Sequence, residues 1–195
     1  YIKNKINYKY IFIYQELDIN LINQLFEINN QNDLIDIILN QEINVKFIDN
    51  YLNKINSRGN HFWVKIFEHQ KFNEKDIKKL INYNNEEEIW YFISCCQKLS
   101  ENFIEEYKDN VNWEKITIHQ NLSLEFIRNH TNWYNNQCWE NISWYQKLDE
   151  NFLREFDNYI DYEGISERQI ITEKYIEDYL EYIYLDKITS RHIPY

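Results

Sequence analysis

Residues that interrupt helices are scarce in this sequence, which has two Gly and one Pro among 195 residues and no Met or Ala. An all-β fold needs turn residues every few positions, so this scarcity favours helices. No apolar run approaches the roughly 20 residues of a membrane-spanning helix. The opening residues are neither long nor apolar enough for a secretion signal. We therefore expect no membrane association and a soluble, intracellular protein.

Few cysteines and glycines limit the chemistry that the chain can carry. Cys95 and Cys96 are adjacent and Cys138 is distant, so the three thiols cannot form a framework of paired bridges. Reduced thiols in a reducing compartment are the interpretation. A glycine-rich phosphate loop is excluded because Gly59 and Gly164 are the only glycines.

Basic residues are outnumbered by acidic ones, which gives a net charge of −11 and a pI near 4.9. Binding to nucleic acid requires a dominant basic surface, so a nucleic-acid partner is disfavoured. Hydrophobic residues make up 44% of the chain and aromatic residues 17%. This content is too high for a disordered acidic chain, and we expect the protein to fold.

Glutamine recurs with an isoleucine four positions before it. The seven glutamines of this column are Gln15, Gln41, Gln70, Gln97, Gln120, Gln146 and Gln169. Only three other Gln occur, so the column does not follow from composition. Repeat units counted from the apolar residue two positions after each Gln begin at 17, 43, 72, 99, 122, 148 and 171. Self-similarity at 23–29 residues predicts an all-α solenoid of about seven short αα-hairpins, a single array over residues 1–195.

Each unit begins with a residue type that caps helices. The predicted caps are Asp18, Asn44, Asn73, Ser100, Ser123, Asp149 and Thr172. Their side-chain oxygens can accept from an amide of the first helical turn. The residue before each cap and the residue five beyond it are both apolar, the arrangement of a hydrophobic staple. The first helix of each hairpin, here called helix A, is therefore predicted to begin just after these caps and to run for about nine residues.

The second helix, helix B, begins with a large residue three positions before the column Ile and runs to the Gln. Its ring residues include Trp63, Trp90, Trp113 and Trp139, which we predict to be core. We expect the repeated Gln to bond backbone groups of the following connection. Tyr8–Gln15 and Leu185–His192 are helix B segments without a full partner, which predicts a piece of a longer array or ends that pack on neighbouring chains.

The segments Trp90-x-x-Ile93-Ser94-x-x-Gln97-x-Leu99-Ser100-x-x-Phe103-Ile104 and Trp139-x-x-Ile142-Ser143-x-x-Gln146-x-Leu148-Asp149-x-x-Phe152-Leu153 carry a resemblance. They resemble a tandem repeat of uncharacterised proteins of giant DNA viruses and phages. The match extends from about residue 60 to residue 192, and the first two units are more divergent. The resemblance implies a viral origin and a helical repeat, and it implies no catalytic residue or cofactor. With a viral origin, the expected location is the cytoplasm of a host cell or the virion.

Three residues of types that bind metal ions precede the Gln in adjacent units: His69, Cys96 and His119. Equivalent helices of a packed array lie about 8–10 Å apart, whereas zinc ligands converge within about 2.3 Å of one ion. The same separation disfavours a Cys–His nucleophilic pair. The sequence therefore predicts no metal site, no cofactor site and no catalytic site, and we expect no enzymatic activity.

The two helical layers differ in charge on their exposed sides. Helix A is acidic, whereas the residues before the column Ile and before the Gln of helix B form a neutral-to-basic stripe. The stripe pairs are Lys65/His69, Phe92/Cys96, Lys115/His119, Asn141/Tyr145, Gly164/Arg168 and Lys187/Arg191. It is either a solvated surface or a protein-binding surface, and the residues predicted to bind a protein partner are Lys65, His69, Phe92, Cys96, Lys115, His119, Tyr145 and Arg168. The functional hypotheses are a protein-binding scaffold, a structural component of a virion or large assembly, and, less favoured, a nucleic-acid-binding repeat.

Overall fold

The computed structural model describes residues 8–28 and 34–188, and it describes side chains for residues 10–25 and 34–188. The fold is an all-α helical repeat, as the sequence predicts, and the described residues contain fourteen α-helices and no strand. The chain divides into two compact units, residues 1–98 and residues 99–195. Both units contain the predicted alternation of helix A and helix B.

The described residues of unit 1 form seven helices, of which the odd-numbered ones are helix B. Their bounds are α1 Tyr8–Tyr14, α2 Ile19–Ile28, α3 Leu34–Asn40, α4 Val45–Asn56, α5 Asn60–His69, α6 Glu74–Leu80 and α7 Glu87–Cys96. The odd-numbered helices form one packed layer, because α1 packs on α3, α3 on α5 and α5 on α7.

Over residues 99–188, the described part of unit 2, there are seven more helices and two short 3-10 turns. The helices are α8 Glu101–Glu106, α9 Trp113–His119, α10 Leu124–Asn129, α11 Asn136–Tyr145, α12 Glu150–Glu155, α13 Tyr162–Arg168 and α14 Glu173–Asp178. The 3-10 turns span Thr131–Trp133 and Leu185–Lys187. Here too the helix B segments pack on one another, α9 on α11 and α11 on α13.

All seven predicted N-caps are confirmed. The side-chain oxygen of each cap accepts from a backbone N–H two or three residues later, at 2.8–3.2 Å. These bonds satisfy amides that a helix leaves unpaired at its start. The sequence positions of the caps therefore determine where every helix A begins.

Helix A is shorter in unit 2 than the predicted nine residues, since α8, α10, α12 and α14 have six residues each. The ring expected one turn further along the apolar face is instead the C-cap, with a ψ of 14–28°. The four C-caps are Tyr107, His130, Phe156 and Tyr179. Each ring still packs on the aromatic ring four residues earlier, at 3.9–4.7 Å between centroids. The apolar stripe therefore extends beyond the helix itself.

Connections between helices absorb the length variation between repeats. In the link from α4 to α5, Gly59 has a φ of 75°, a left-handed conformation that a side chain would disfavour. It is the N-cap of α5 and lets the chain reverse in three residues. Of the final predicted helix B, Leu185–His192, only the 3-10 turn Leu185–Lys187 and Ile188 lie within the described residues, and Arg191 lies outside them.

The predicted ring column is largely core. Trp63, Trp90 and Trp139 are buried, whereas Trp113 is half-buried, in contrast to its predicted place in the core. Trp113 is the first residue of α9, and the partly exposed Trp133 stacks on it at 5.8 Å between ring centroids. Its indole N–H donates to the carbonyl of Lys108 at 3.0 Å, so the polar edge of the ring is satisfied.

Candidate functional site

The repeated glutamine clamps the backbone of the preceding repeat. In unit 2, the amide Nε2 of Gln146 donates to the carbonyls of Thr117 and Gln120 at 2.7 and 2.8 Å. Its Oε1 accepts from the backbone N–H of Leu122 at 3.0 Å. Gln146 is 5% exposed, so these bonds form away from water. One side chain thus satisfies three backbone groups at the end of the preceding helix B.

The same three bonds recur in both units. Gln41, Gln70 and Gln97 in unit 1 and Gln169 in unit 2 bond the equivalent groups at 2.6–3.1 Å. Gln120 accepts from the N–H of Leu99 at 3.0 Å. The column is therefore structural, as predicted, but the predicted partner was wrong. The Gln is an extended C-cap rather than a helical residue, so its side chain points back to the preceding connection instead of forward to the next.

The predicted partner-binding residues of unit 1 differ in their accessibility. His69 is exposed, whereas Lys65, Phe92 and Cys96 are half-buried. Lys65 forms an ion pair with Glu68 at 2.6 Å, and the ring of His69 lies 3.4 Å from the same carboxylate. This pair leaves the α5 surface less basic than the stripe predicted from sequence.

In unit 2, the residues that precede the Gln are the exposed ones. His119, Tyr145 and Arg168 are exposed, whereas Lys115 is half-buried. They occupy equivalent positions on α9, α11 and α13, which pack side by side, so their side chains lie along one face of the unit. The structure therefore brings three of the four predicted residues of unit 2 onto a common accessible surface.

Two other members assigned to the stripe are buried, which corrects the prediction that this position is exposed. Asn141 is 5% exposed, and its amide donates to the carbonyl of Glu114 and to Oγ1 of Thr117 at 3.1 and 3.3 Å. Gly164 is buried against the indole of Trp144, and a Cβ added there would lie 2.7 Å from the ring. Residues before the column Ile face the neighbouring helix B because adjacent helices approach closely at this point.

Trp144 adds an aromatic surface beside the exposed residues of unit 2. The guanidinium carbon of Arg168 lies 5.5 Å from the centroid of the Trp144 ring, within the range of a cation–π contact. The indole N–H donates to the carboxylate of Asp161 at 2.7 Å. Tyr145, the next residue, is 58% exposed. We call His119, Trp144, Tyr145 and Arg168 the unit 2 patch.

The histidine of this patch is biased toward its neutral form. Partial burial and the adjacent Lys115 lower the pKa of His119 below its ordinary value. At neutral pH the patch therefore contains one fixed cation, Arg168, together with aromatic rings and a neutral imidazole.

Sequence reasoning missed Trp144, because the position two before the Gln varies in chemistry from repeat to repeat. A usable signal was the pairing of this Trp with Gly164, the only glycine at the position before a column Ile. A large residue in one repeat and the smallest residue in the next indicate that the ring packs across adjacent helices.

Within the part of the chain that the structure describes, no group of three or more His, Cys, Asp or Glu residues could hold a metal ion. No described helix is both long and apolar enough to span a bilayer. No protein-family model, curated protein or solved structure matches the chain.

Proposed function

We propose that this protein is a non-enzymatic α-helical repeat scaffold, of the viral kind its motif resembles, that binds another protein through helix B. The observation that carries the proposal is the unit 2 patch. Its Tyr145, Trp144 and Arg168 are of the types that contribute most to the energy of protein interfaces. In this patch they are accessible to solvent, and the repeated frame that carries them does not depend on these residues.

The frame supports this proposal because it separates folding from surface identity. The Gln clamp and the N-caps use residues that are the same or equivalent in each repeat, whereas the positions before the Gln change. In unit 2 these positions hold a histidine, a tyrosine and an arginine in successive repeats. Variable side chains on an invariant frame are how solenoids produce extended binding surfaces.

The rigidity of the patch also favours binding. Trp144 is held by its bond to Asp161 and by its contact with Gly164, and Arg168 lies against the same ring. Side chains that are already ordered lose less conformational entropy when a partner covers them. The single fixed cation suits a partner that presents a carboxylate beside an apolar side chain.

The test is affinity capture from an extract of the cells that make the protein, with the wild type compared with Tyr145→Ala and Arg168→Ala variants. We expect captured proteins to be identified by mass spectrometry with the wild type and reduced at least about tenfold with each variant. Charge reversal at Arg168 or an alanine at Lys115 or His119 extends the map of the surface.

Matched controls exist within the chain. Tyr159 is 60% exposed outside the patch, and Arg58 lies over the ring of Phe62 at 5.6 Å in unit 1. Alanine variants at these two positions should retain the captured proteins. A profile in which the Tyr145 and Arg168 variants capture the same proteins as the wild type would remove the patch from the proposal.

A second candidate, a structural component of a virion or large assembly, is favoured by a separate surface. Several apolar side chains near the end of the described part of unit 2 are 47–60% exposed. They are Ile170, Leu180, Tyr182, Tyr184 and Leu185. Light scattering after size exclusion distinguishes the candidates, because an assembly component should self-associate and a Leu180→Glu variant should reduce that association. Nucleic-acid binding is disfavoured by the net charge of −11 and is tested by titration with labelled oligonucleotides at low salt.

A further inference from the structure

The vicinal thiols of unit 1 lie at the end of α7 with their sulfur atoms close together. The Sγ atoms of Cys95 and Cys96 are 3.2 Å apart, and both side chains are half-buried and so reachable from solvent. The Cys96 carbonyl accepts from Nζ of Lys71 at 2.5 Å, which anchors the backbone at this point. The two thiols therefore form a compact pair on an ordered helix end.

The repeat frame does not require thiols at these positions. Equivalent pairs in unit 1 are Ile13-Tyr14, Leu39-Asn40 and Glu68-His69, none of which contains a thiol. The neighbouring Gln97 makes the same clamp as its counterparts, to the carbonyls of Phe67 and Gln70 at 2.7 and 2.8 Å. The glutamine clamp thus forms both in this repeat, which has thiols at these positions, and in repeats that have other residues there.

Direct oxidation of the pair is disfavoured by the backbone. Adjacent Cα atoms lie about 3.8 Å apart across a trans peptide, below the separation of about 4.4 Å at which disulfides begin. The described residues contain no cis peptide bond. An atom inserted between the sulfurs removes this restriction, because each thiol then bonds to the inserted atom rather than to the other thiol.

We propose that Cys95 and Cys96 form a chelating dithiol site for a trivalent arsenical or a similar pyramidal thiophile. Soft thiol ligands select soft acceptors. An aryl arsenoxide needs only two thiols, because its aryl group occupies the third position on arsenic. Two As–S bonds form, two S–H bonds break, and the oxide oxygen leaves as water with both protons, so no oxidant or reductant is required. Ions that prefer linear coordination by two thiolates fit less well, since sulfurs 3.2 Å apart cannot lie on opposite sides of one ion.

The test uses phenylarsine oxide with the full-length protein. Intact mass spectrometry should show one adduct whose mass equals the reagent minus one water, and titration should show the loss of two thiols. Peptide mapping should place the adduct on the segment that contains Cys95 and Cys96. Addition of a dithiol should reverse the adduct, whereas a monothiol at the same thiol concentration should leave it in place, because the chelate competes with the monothiol as an intramolecular ligand.

Three variants give the matched controls. Cys95→Ser and Cys96→Ser should each lower the affinity at least about a hundredfold, since a single thiol cannot chelate. Cys138→Ala should leave it unchanged, because Cys138 is buried and burial raises the pKa of its thiol. An adduct that survives in either serine variant, or that maps to Cys138, would overturn the proposal.

Preorganisation is tested separately with a synthetic peptide of residues 91–98. The folded protein should bind the arsenical at least about tenfold more tightly than the peptide, because the helix already holds the sulfurs close together. Equal affinity would assign the binding to adjacency in sequence alone and would contradict a site built by the fold. These measurements do not depend on the unit 2 patch, so their failure would leave the proposed protein binding intact.

Discussion

The two units use the same glutamine clamp, but the first three repeats of unit 1 fill the position after the column Ile differently from unit 2. In unit 1 that position holds Phe12, Ile38 and Phe67 in the first three repeats and Ser94 in the fourth, all of them fully buried. In unit 2 it holds Thr117, Ser143 and Ser166, which are equally buried but polar. The first three repeats of unit 1 therefore have an apolar side chain at this position, whereas every repeat of unit 2 has a hydroxyl there.

The hydroxyls of unit 2 join neighbouring repeats. Oγ of Ser143 donates to the carbonyl of Trp139 at 2.9 Å and accepts from the backbone N–H of Asp161 at 2.9 Å. Ser166 accepts in the same way from the N–H of Tyr184 at 3.0 Å. In both cases the donor lies 18 residues after the serine. A buried hydroxyl is tolerated because the next repeat supplies its partner.

Repeat length explains why the serine occurs where it does. The repeat that contains Ser143 is followed by a unit of 23 residues, and this short connection brings the start of the next helix B to the hydroxyl. Thr117 is followed by a unit of 26 residues, and there the amide of Asn141 reaches its Oγ1 instead, at 3.3 Å. Units of 26 to 29 residues in unit 1 are paired with apolar residues.

The largest expected effect comes from placing a serine in one of the apolar repeats of unit 1. Phe67→Ser should lower the free energy of unfolding by about 3–5 kcal/mol, because it removes a buried ring and leaves a cavity. No short connection brings an N–H to the new hydroxyl. Urea denaturation measures the loss, with Tyr91→Ser, a partly exposed ring on α7, as the control that should cost far less. A small loss at Phe67 would show that the apolar contact is not what stabilises unit 1.

Removal of the clamp should affect both units alike. Gln70→Ala and Gln146→Ala should each lower the free energy of unfolding by about 3 kcal/mol, because each leaves two buried carbonyls and one buried N–H without their partner. Gln137→Ala on the exposed side of α11 serves as the control and should change stability by less than about 0.5 kcal/mol. Unequal losses at Gln70 and Gln146 would mean that the two units do not share one mechanism.

A smaller effect is expected from removing a hydrogen bond between repeats of unit 2. Ser143→Ala should lower the free energy of unfolding by about 1–2 kcal/mol, since the N–H of Asp161 loses its acceptor. Hydrogen exchange at the Asp161 amide should accelerate in this variant, while the amides of α9 should be less affected. Unchanged exchange at Asp161 would show that the hydroxyl does not protect that amide.

The smallest effect concerns the charge of the unit 2 patch. Burial and Lys115 lower the pKa of His119 below 6.5, so NMR titration should give a midpoint below this value. Lys115→Gln should raise the midpoint only in part, because burial is the larger cause. With a lowered pKa in the folded state, the contribution of this group to stability is complete above the unfolded pKa and declines as the pH falls below it. A midpoint at or above 6.5 would show that partial desolvation and Lys115 do not disfavour the charged imidazole.

Local sequence signals predicted the frame of this fold well. The N-caps identified the start of each helix A because a cap acts on amides two or three residues away, and the Gln column identified the repeat. Contacts between repeats could not be read in the same way. Asn141 and Gly164 are buried because the neighbouring helix B lies close to them. Residue type alone does not reveal that proximity. Within the unit 2 patch, the placement of Trp144 depends on its packing against Gly164, which is also a contact between repeats.

The direction of the clamp has a consequence for synthesis on the ribosome. Gln70, Gln97 and Gln146 each bond carbonyls of residues 26 to 32 positions earlier in the chain. A newly made repeat therefore leaves its last turn unsatisfied until the following glutamine has emerged from the exit tunnel. Ordered structure should advance along the nascent chain one repeat behind translation, and each unit should complete its stacking from its N-terminal side.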